Sequence, residues 1–79
     1  MDTNQIISLA RKYATDTAAL MASSARFCLT DAIARADAGD LISAQYHAVK
    51  SLAYSVGVFH NDYKRANQAF ITNRARVQS

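Results

Sequence analysis

Apolar residues recur at spacings of three, four and seven positions through the second half of the chain. On a helical wheel at about 100° per residue they share one stripe, whereas a strand would alternate with a period of two. The stripe comprises Leu41, Ala44, Ala48, Leu52, Val56, Phe59, Tyr63, Ala66, Phe70 and Val77. The pattern predicts one continuous helix over about residues 41–76. Its largest seam residues are Leu52, Phe59, Tyr63 and Phe70.

The first half carries a similar stripe, in which small residues occupy the middle. It comprises Ile6, Leu9, Ala10, Tyr13, Thr17, Leu20, Met21, Ser24, Phe27 and Cys28. Beyond Cys28 the apolar residues lie on a side of the helix about a quarter turn away from the first stripe. These residues are Leu29, Ala32, Ile33 and Ala36. We expect a continuous but curved helix over about residues 4–37, and a break near Ser23–Ser24 is the alternative.

A single turn signal separates the two halves at residues 38–40. Gly39 follows a helical run, where a residue with positive φ often ends a helix. Asp40 comes next, and its carboxylate can cap the following helix. The sequence therefore predicts a long antiparallel helical hairpin.

A hairpin has one seam and cannot surround a core, so we expect association with another chain to complete a four-helix bundle. The expected fold is all-α, with residues 1–79 as one helical domain. Gly57 lies off the stripe, and residues 60–62 could cap a new helix. A three-helix bundle with a break near residues 60–62 is the main alternative.

Composition agrees with helices, because the chain has sixteen alanines, two glycines and no proline. A chain of 79 residues buries only about 60% of its unfolded surface, so its core is marginal without a supplement. The single cysteine, Cys28, excludes an internal disulfide. Association is the remaining supplement, and a homodimer is the expected form. No long apolar run or basic leader is present, so we expect a cytoplasmic protein that does not enter membranes.

The charge is unevenly placed along the chain. Residues 1–60 hold five bases and five acids, whereas residues 61–79 hold four bases and one acid and account for the net charge of +3. An antiparallel hairpin would gather six bases at one end: Arg11, Lys12, Lys64, Arg65, Arg74 and Arg76. Such an end could attract phosphates or an acidic protein surface.

The reactive side chains do not form a catalytic pattern. On one helix His47 and His60 would point about 140° apart, and neither has a carboxylate one turn away to orient it. Cys28 lies in the apolar stripe, where burial raises the pKa of a thiol and makes it unreactive. We therefore expect no enzyme activity, no cofactor and no metal.

The outer side of the second helix is too apolar for a plain solvent face. Its residues are Tyr46, Ala53, Tyr54, Gly57 and Val58. We expect a protein–protein interaction module, such as a small adaptor, regulator or inhibitor of a larger complex. The candidate partner-binding residues are Tyr46, Tyr54, Val58, Lys64, Arg65, Arg74 and Arg76. The alternative is a nucleic-acid-binding regulator that uses the basic end.

Overall fold

A computed structural model describes residues 1–16 and 18–78. These residues form four helices and no strand: α1 (Thr3–Ala14), α2 (Ala22–Asp37), α3 (Leu41–Val56) and α4 (Asn61–Gln78). The all-α prediction is confirmed. The prediction of two continuous helices is wrong, because each expected helix is divided in two. Thr17, placed at the middle of the first stripe, lies outside the described residues.

The central element is α3, which packs against each of the other three helices. Gln45 on α3 bonds Thr3 at the start of α1, and Arg26 on α2 bonds Ala14 at the end of α1. These contacts make α1 parallel to α3, while α2 and α4 run the opposite way. The chain thus closes a helical bundle by itself, so the core gives no reason for a second chain to complete it.

The core is built largely from small side chains where the helices cross. Ile6 and Leu52 are its largest apolar side chains with no exposed surface. Around them lie buried alanines from all four helices: Ala10, Ala14, Ala25, Ala32, Ala44, Ala48 and Ala66. Small residues let helix backbones approach closely. This explains how a chain rich in alanine still forms a contiguous core.

The first break follows from hydrogen bonds that a continuous helix would forgo. The first helix ends at Ala14. The amides of Leu20 and Met21 then donate to the carbonyls of Ser55 and Tyr54, at 3.0 and 2.9 Å. Those carbonyls lie in the last turn of α3, where helices leave acceptors unpaired. The segment between α1 and α2 therefore caps α3.

The second break lies at residues 57–60, close to the alternative that the sequence offered. Gly57 ends α3 with φ 88° and ψ 161°. His60 then caps α4, because its Nδ1 accepts a hydrogen bond from the amide of Asp62 at 3.0 Å. Phe59 lies in this turn with 86% of its surface exposed. Its assignment to the buried seam is wrong.

The hairpin turn between α2 and α3 is confirmed. Gly39 has φ 82°, and the carboxylate of Asp40 accepts from the amide of Ser43 at 3.3 Å. At the other helix start, the carboxylate of Asp2 accepts from the amide of Gln5, whose side chain accepts from the amide of Asp2. Asp2 and Asp40 are of a residue type that commonly caps helices, so the sequence indicated the starts of both α1 and α3.

Gly57→Ala is expected to lower the free energy of unfolding by about 1–2 kcal/mol, because only glycine adopts this φ and ψ without strain. An added Cβ would lie 3.6 Å from Cδ1 of Leu20, an ordinary contact, so the loss comes from the backbone. Urea denaturation of the alanine variant measures it. A synthetic chain with D-alanine at position 57 is the control and should keep the wild-type stability. Equal losses for both enantiomers would contradict the argument.

Candidate functional site

The outer face of α3, as predicted from the sequence, carries Tyr46, Lys50 and Tyr54 at successive turns. Tyr46 is exposed, whereas Lys50 is half-buried and Tyr54 packs partly buried against the core. The Tyr46 ring lies 6.0 Å from the Phe70 ring of α4, between ring centroids. Lys50 Nζ is 5.4 Å from the Tyr46 centroid, and Arg74 Cζ is 5.1 Å from the Phe70 centroid. Cations at such distances are attracted to the rings. Two bases are therefore held along the border between α3 and α4.

Lys50 and Tyr54 border a depression of about 380 Å³ between α3 and α2. Phe27 lies at its rim and is exposed, contrary to its place in the first apolar stripe. Cys28 also lines it but is buried, and burial is the main cause that raises the pKa of its thiol, as predicted. Lys50 acts weakly in the opposite direction. The thiol is therefore poorly suited to act as a nucleophile.

Exposed apolar side chains gather where the two breaks in the helices meet. Leu20 and Phe59 are 71% and 86% exposed, and Met21 and Val58 are also exposed. We call these four residues the loop-end patch. The two loops are adjacent, since Cδ1 of Leu20 lies 3.6 Å from the Cβ position of Gly57. Of the predicted contact residues, only Val58 lies in this patch.

A pocket of about 270 Å³ opens beside the loop-end patch. Its lining is mostly apolar and includes Leu20 of the patch and His60, the neighbour of Phe59. The remaining lining residues are Tyr13, Asp16, Ala18, Ala19, Ser55 and Val56. A projecting phenyl ring and a small pocket thus lie side by side.

A polar cluster fastens α1 to the start of α4. The hydroxyl of Tyr13 donates to the carboxylate of Asp62, and Arg65 Nη2 lies 2.7 Å from the same carboxylate. The hydrogen bond is the main cause that raises the pKa of Tyr13 and lowers the pKa of Asp62. The Tyr13 ring also packs edge-on against His60 at 5.3 Å. The Nδ1 atom of His60 accepts the hydrogen bond that caps α4, so the role of His60 here is structural.

The six bases expected at one end are divided over three places. Arg11 lines a depression with Asp37 of α2, and Arg74 lies over Phe70. The other four line two depressions of about 550 and 590 Å³ that meet at Met1 and Arg65, between α1 and α4. These four are Lys12, Lys64, Arg65 and Arg76. We call this double depression the α1–α4 groove.

The loop-end patch escaped the sequence reasoning. The sequence placed Lys12, Lys64, Arg65 and Arg76 at one end of a hairpin, but it did not indicate the α1–α4 groove that these side chains line. The patch was missed because Leu20 and Phe59 continue the helical period although neither lies in a helix. A signal for the groove was present in α4, where polar residues follow at intervals of four: Lys64, Gln68, Thr72 and Arg76. Such spacing places side chains along one helix face.

Within residues 1–16 and 18–78, no group of three or more His, Cys, Asp or Glu side chains is placed to hold a metal ion. None of the four helices combines the length and the apolar character needed to span a bilayer, over the same part of the chain. Against known protein families, curated proteins and solved structures, the chain has no significant match.

Proposed function

We propose that this protein is a non-enzymatic helical interaction module that acts as a homodimer, with the loop-end patch as its pairing surface. The exposure of Phe59 and Leu20 on two adjacent loops is the observation that carries this proposal. Contiguous exposed apolar residues in water often mark protein–protein contacts.

A homodimer is favoured because the same surface carries both an exposed side chain and a pocket that could receive it. A twofold dimer places the same patch of both copies in contact, so that patch must be complementary to itself. The side chain of Phe59 is exposed, and a pocket of about 270 Å³ lined by Leu20, Val56 and His60 lies beside it. In the proposed dimer, Phe59 of each copy enters the pocket of the other. Aromatic side chains seated in pockets dominate many interfaces.

The dimer would present two copies of the outer face of α3. Tyr46 lies on that face, and Tyr54 lies beside the loop-end patch, because its carbonyl accepts a hydrogen bond from the amide of Met21 at 2.9 Å. A protein that binds there would be bound twice, which suits an adaptor or regulator of a larger complex. The non-enzymatic part of the proposal is supported by the burial of Cys28 and the capping role of His60.

Analytical ultracentrifugation of the wild type and of the double variant Leu20→Ser/Phe59→Ser tests the pairing. The wild type is expected to sediment as a dimer and the variant as a monomer, because the apolar contact is lost. Both positions are exposed, so the variant should keep the helical circular dichroism signal of the wild type.

The matched control is Leu41→Ser/Val77→Ser, which removes two other exposed apolar side chains far from the loop-end patch. This control should remain dimeric. A wild type that stays monomeric over the whole concentration range overturns the proposal. A loss of the dimer in the control as well would also overturn it, because general surface hydrophobicity would then drive association.

A further inference from the structure

The α1–α4 groove has no role in the proposed dimer, and its chemistry differs from that of the loop-end patch. We propose that the groove binds the sugar–phosphate backbone of a nucleic acid, without reading its sequence. The inference rests on four basic side chains that line two adjoining depressions among amide and hydroxyl side chains.

The groove is held open by contacts near both ends of α4. Near its start, Asp62 accepts the hydrogen bond of Tyr13. Near its end, Nδ2 of Asn73 donates to the carbonyl of Met1 and to Oε1 of Gln45, each at 3.0 Å. The two helices are thus fixed relative to each other, so the groove exists before any ligand arrives. A pre-formed site loses less entropy on binding.

The electrostatics of the groove favour an anion. Lys12 enters from α1, and Lys64, Arg65 and Arg76 enter from α4. Two carboxylates lie beside these four basic side chains, so the basic charges exceed the acidic charges by two. Asp2 accepts from the amide of Gln5, and Asp62 from Tyr13 and Arg65. The side chain of Arg65 is still 63% exposed despite its ion pair, so its guanidinium remains open to a ligand.

The length of the groove indicates a repeating ligand. From Lys64 to Arg76, α4 rises roughly 18 Å, which matches about five phosphates on one strand rising 3.4 Å per nucleotide. The remaining lining is rich in hydrogen-bonding groups: Asn4, Gln5, Ser8, Gln68, Thr72 and Asn73. Side chains of these types contact phosphate and sugar in nucleic-acid complexes.

The lining also explains why we expect no sequence preference. Sequence-specific recognition of single strands combines stacking of the unpaired bases on aromatic rings with hydrogen bonds to the base edges. Among residues 1–16 and 18–78, no aromatic side chain lines the groove. Contacts would therefore go to the backbone, which carries no sequence information.

Fluorescence anisotropy with a labelled single-stranded RNA of mixed sequence, and with a duplex of equal length, tests this proposal in the full chain. For four phosphate contacts the logarithm of the binding constant should fall with the logarithm of salt concentration at a slope of about −3 for the single strand. The triple variant Lys12→Gln/Lys64→Gln/Arg76→Gln should flatten that slope by about 2 and weaken binding by about tenfold or more.

The matched control is Arg35→Gln/Lys50→Gln/Arg74→Gln, which removes the same charge from bases that do not line the groove. It should keep a slope within about 0.5 of the wild-type value. Equal losses in both triple variants would overturn the proposal, because net charge alone would then explain binding. An absence of binding at low salt would also overturn it.

A competition with polyglutamate separates nucleic acid from an acidic protein. If polyglutamate displaced the RNA as well as unlabelled RNA does, the groove would be a general site for acidic chains and the proposal would be wrong. The monomeric variant Leu20→Ser/Phe59→Ser should keep the wild-type slope. The proposal of nucleic-acid binding and the proposal of a dimer can therefore be refuted independently of each other.

Discussion

Leu52→Ala is expected to lower the free energy of unfolding by about 3 kcal/mol. Leu52 lies on α3, the helix that contacts all the others, and none of its surface is exposed. Removing a buried leucine side chain loses its transfer free energy and leaves a cavity that the neighbours fill only in part. A domain of this size has a total stability of about 4–12 kcal/mol, so the loss is a large fraction of it.

Phe59→Ala is the control, because it removes a larger apolar side chain from an exposed turn. Its cost in the monomer should be below about 0.5 kcal/mol. Urea denaturation of both variants should be done in the Leu20→Ser background, at concentrations that keep the protein monomeric. A cost for Phe59→Ala equal to that of Leu52→Ala would restore the continuous second helix and refute the break at residues 57–60.

The features predicted well from the sequence are those that depend on near neighbours in the chain. Gly39 and Asp40 define the turn between α2 and α3 through their own backbone preferences. The core faces of α3 and α4 follow the helical period, as the burial of Leu52 and Phe70 confirms. Local propensity and spacing were sufficient for these elements.

The two breaks were missed because the apolar period continues across them. Phe59 falls on the stripe, but Gly57 has a φ that no helix contains, and this turns the chain before Phe59 is reached. The first break is stabilised by hydrogen bonds from Leu20 and Met21 to carbonyls more than thirty residues away. The donor and the acceptor of each bond are too far apart in the chain to fall within one helical segment. A helical wheel, which compares near neighbours, therefore could not show the break.

The candidate surfaces were difficult to predict for the same reason. The α1–α4 groove exists only because α4 folds back along α1, where Tyr13 meets Asp62. That pair is separated by 49 positions, and either residue alone resembles an ordinary surface side chain. Of the two tyrosines predicted on the outer face of α3, Tyr46 is exposed, whereas Tyr54 is partly buried against the core.

The second large effect is expected at Gln45, whose side chain is buried and links three parts of the chain. Its Nε2 donates to Oγ1 of Thr3 at 2.8 Å, and its Oε1 accepts from Nδ2 of Asn73 at 3.0 Å. Gln45→Leu keeps a similar volume but leaves the Thr3 hydroxyl and the Asn73 amide without this partner. Buried polar groups that lose their partners destabilise a fold, so we expect a loss of about 2–3 kcal/mol in unfolding free energy.

This loss should be felt most in α4, which depends on polar anchors more than the other helices do. Ala66 and Phe70 are its buried apolar residues among those whose burial is described. Amide hydrogen exchange should therefore speed up in the second half of α4 in Gln45→Leu, while α2 and α3 stay protected. Gln68→Leu, an exposed position on the same helix, is the control and should change neither quantity. If exchange rose equally in all four helices, α4 would be part of one cooperative core, and its dependence on the Gln45 anchor would be refuted.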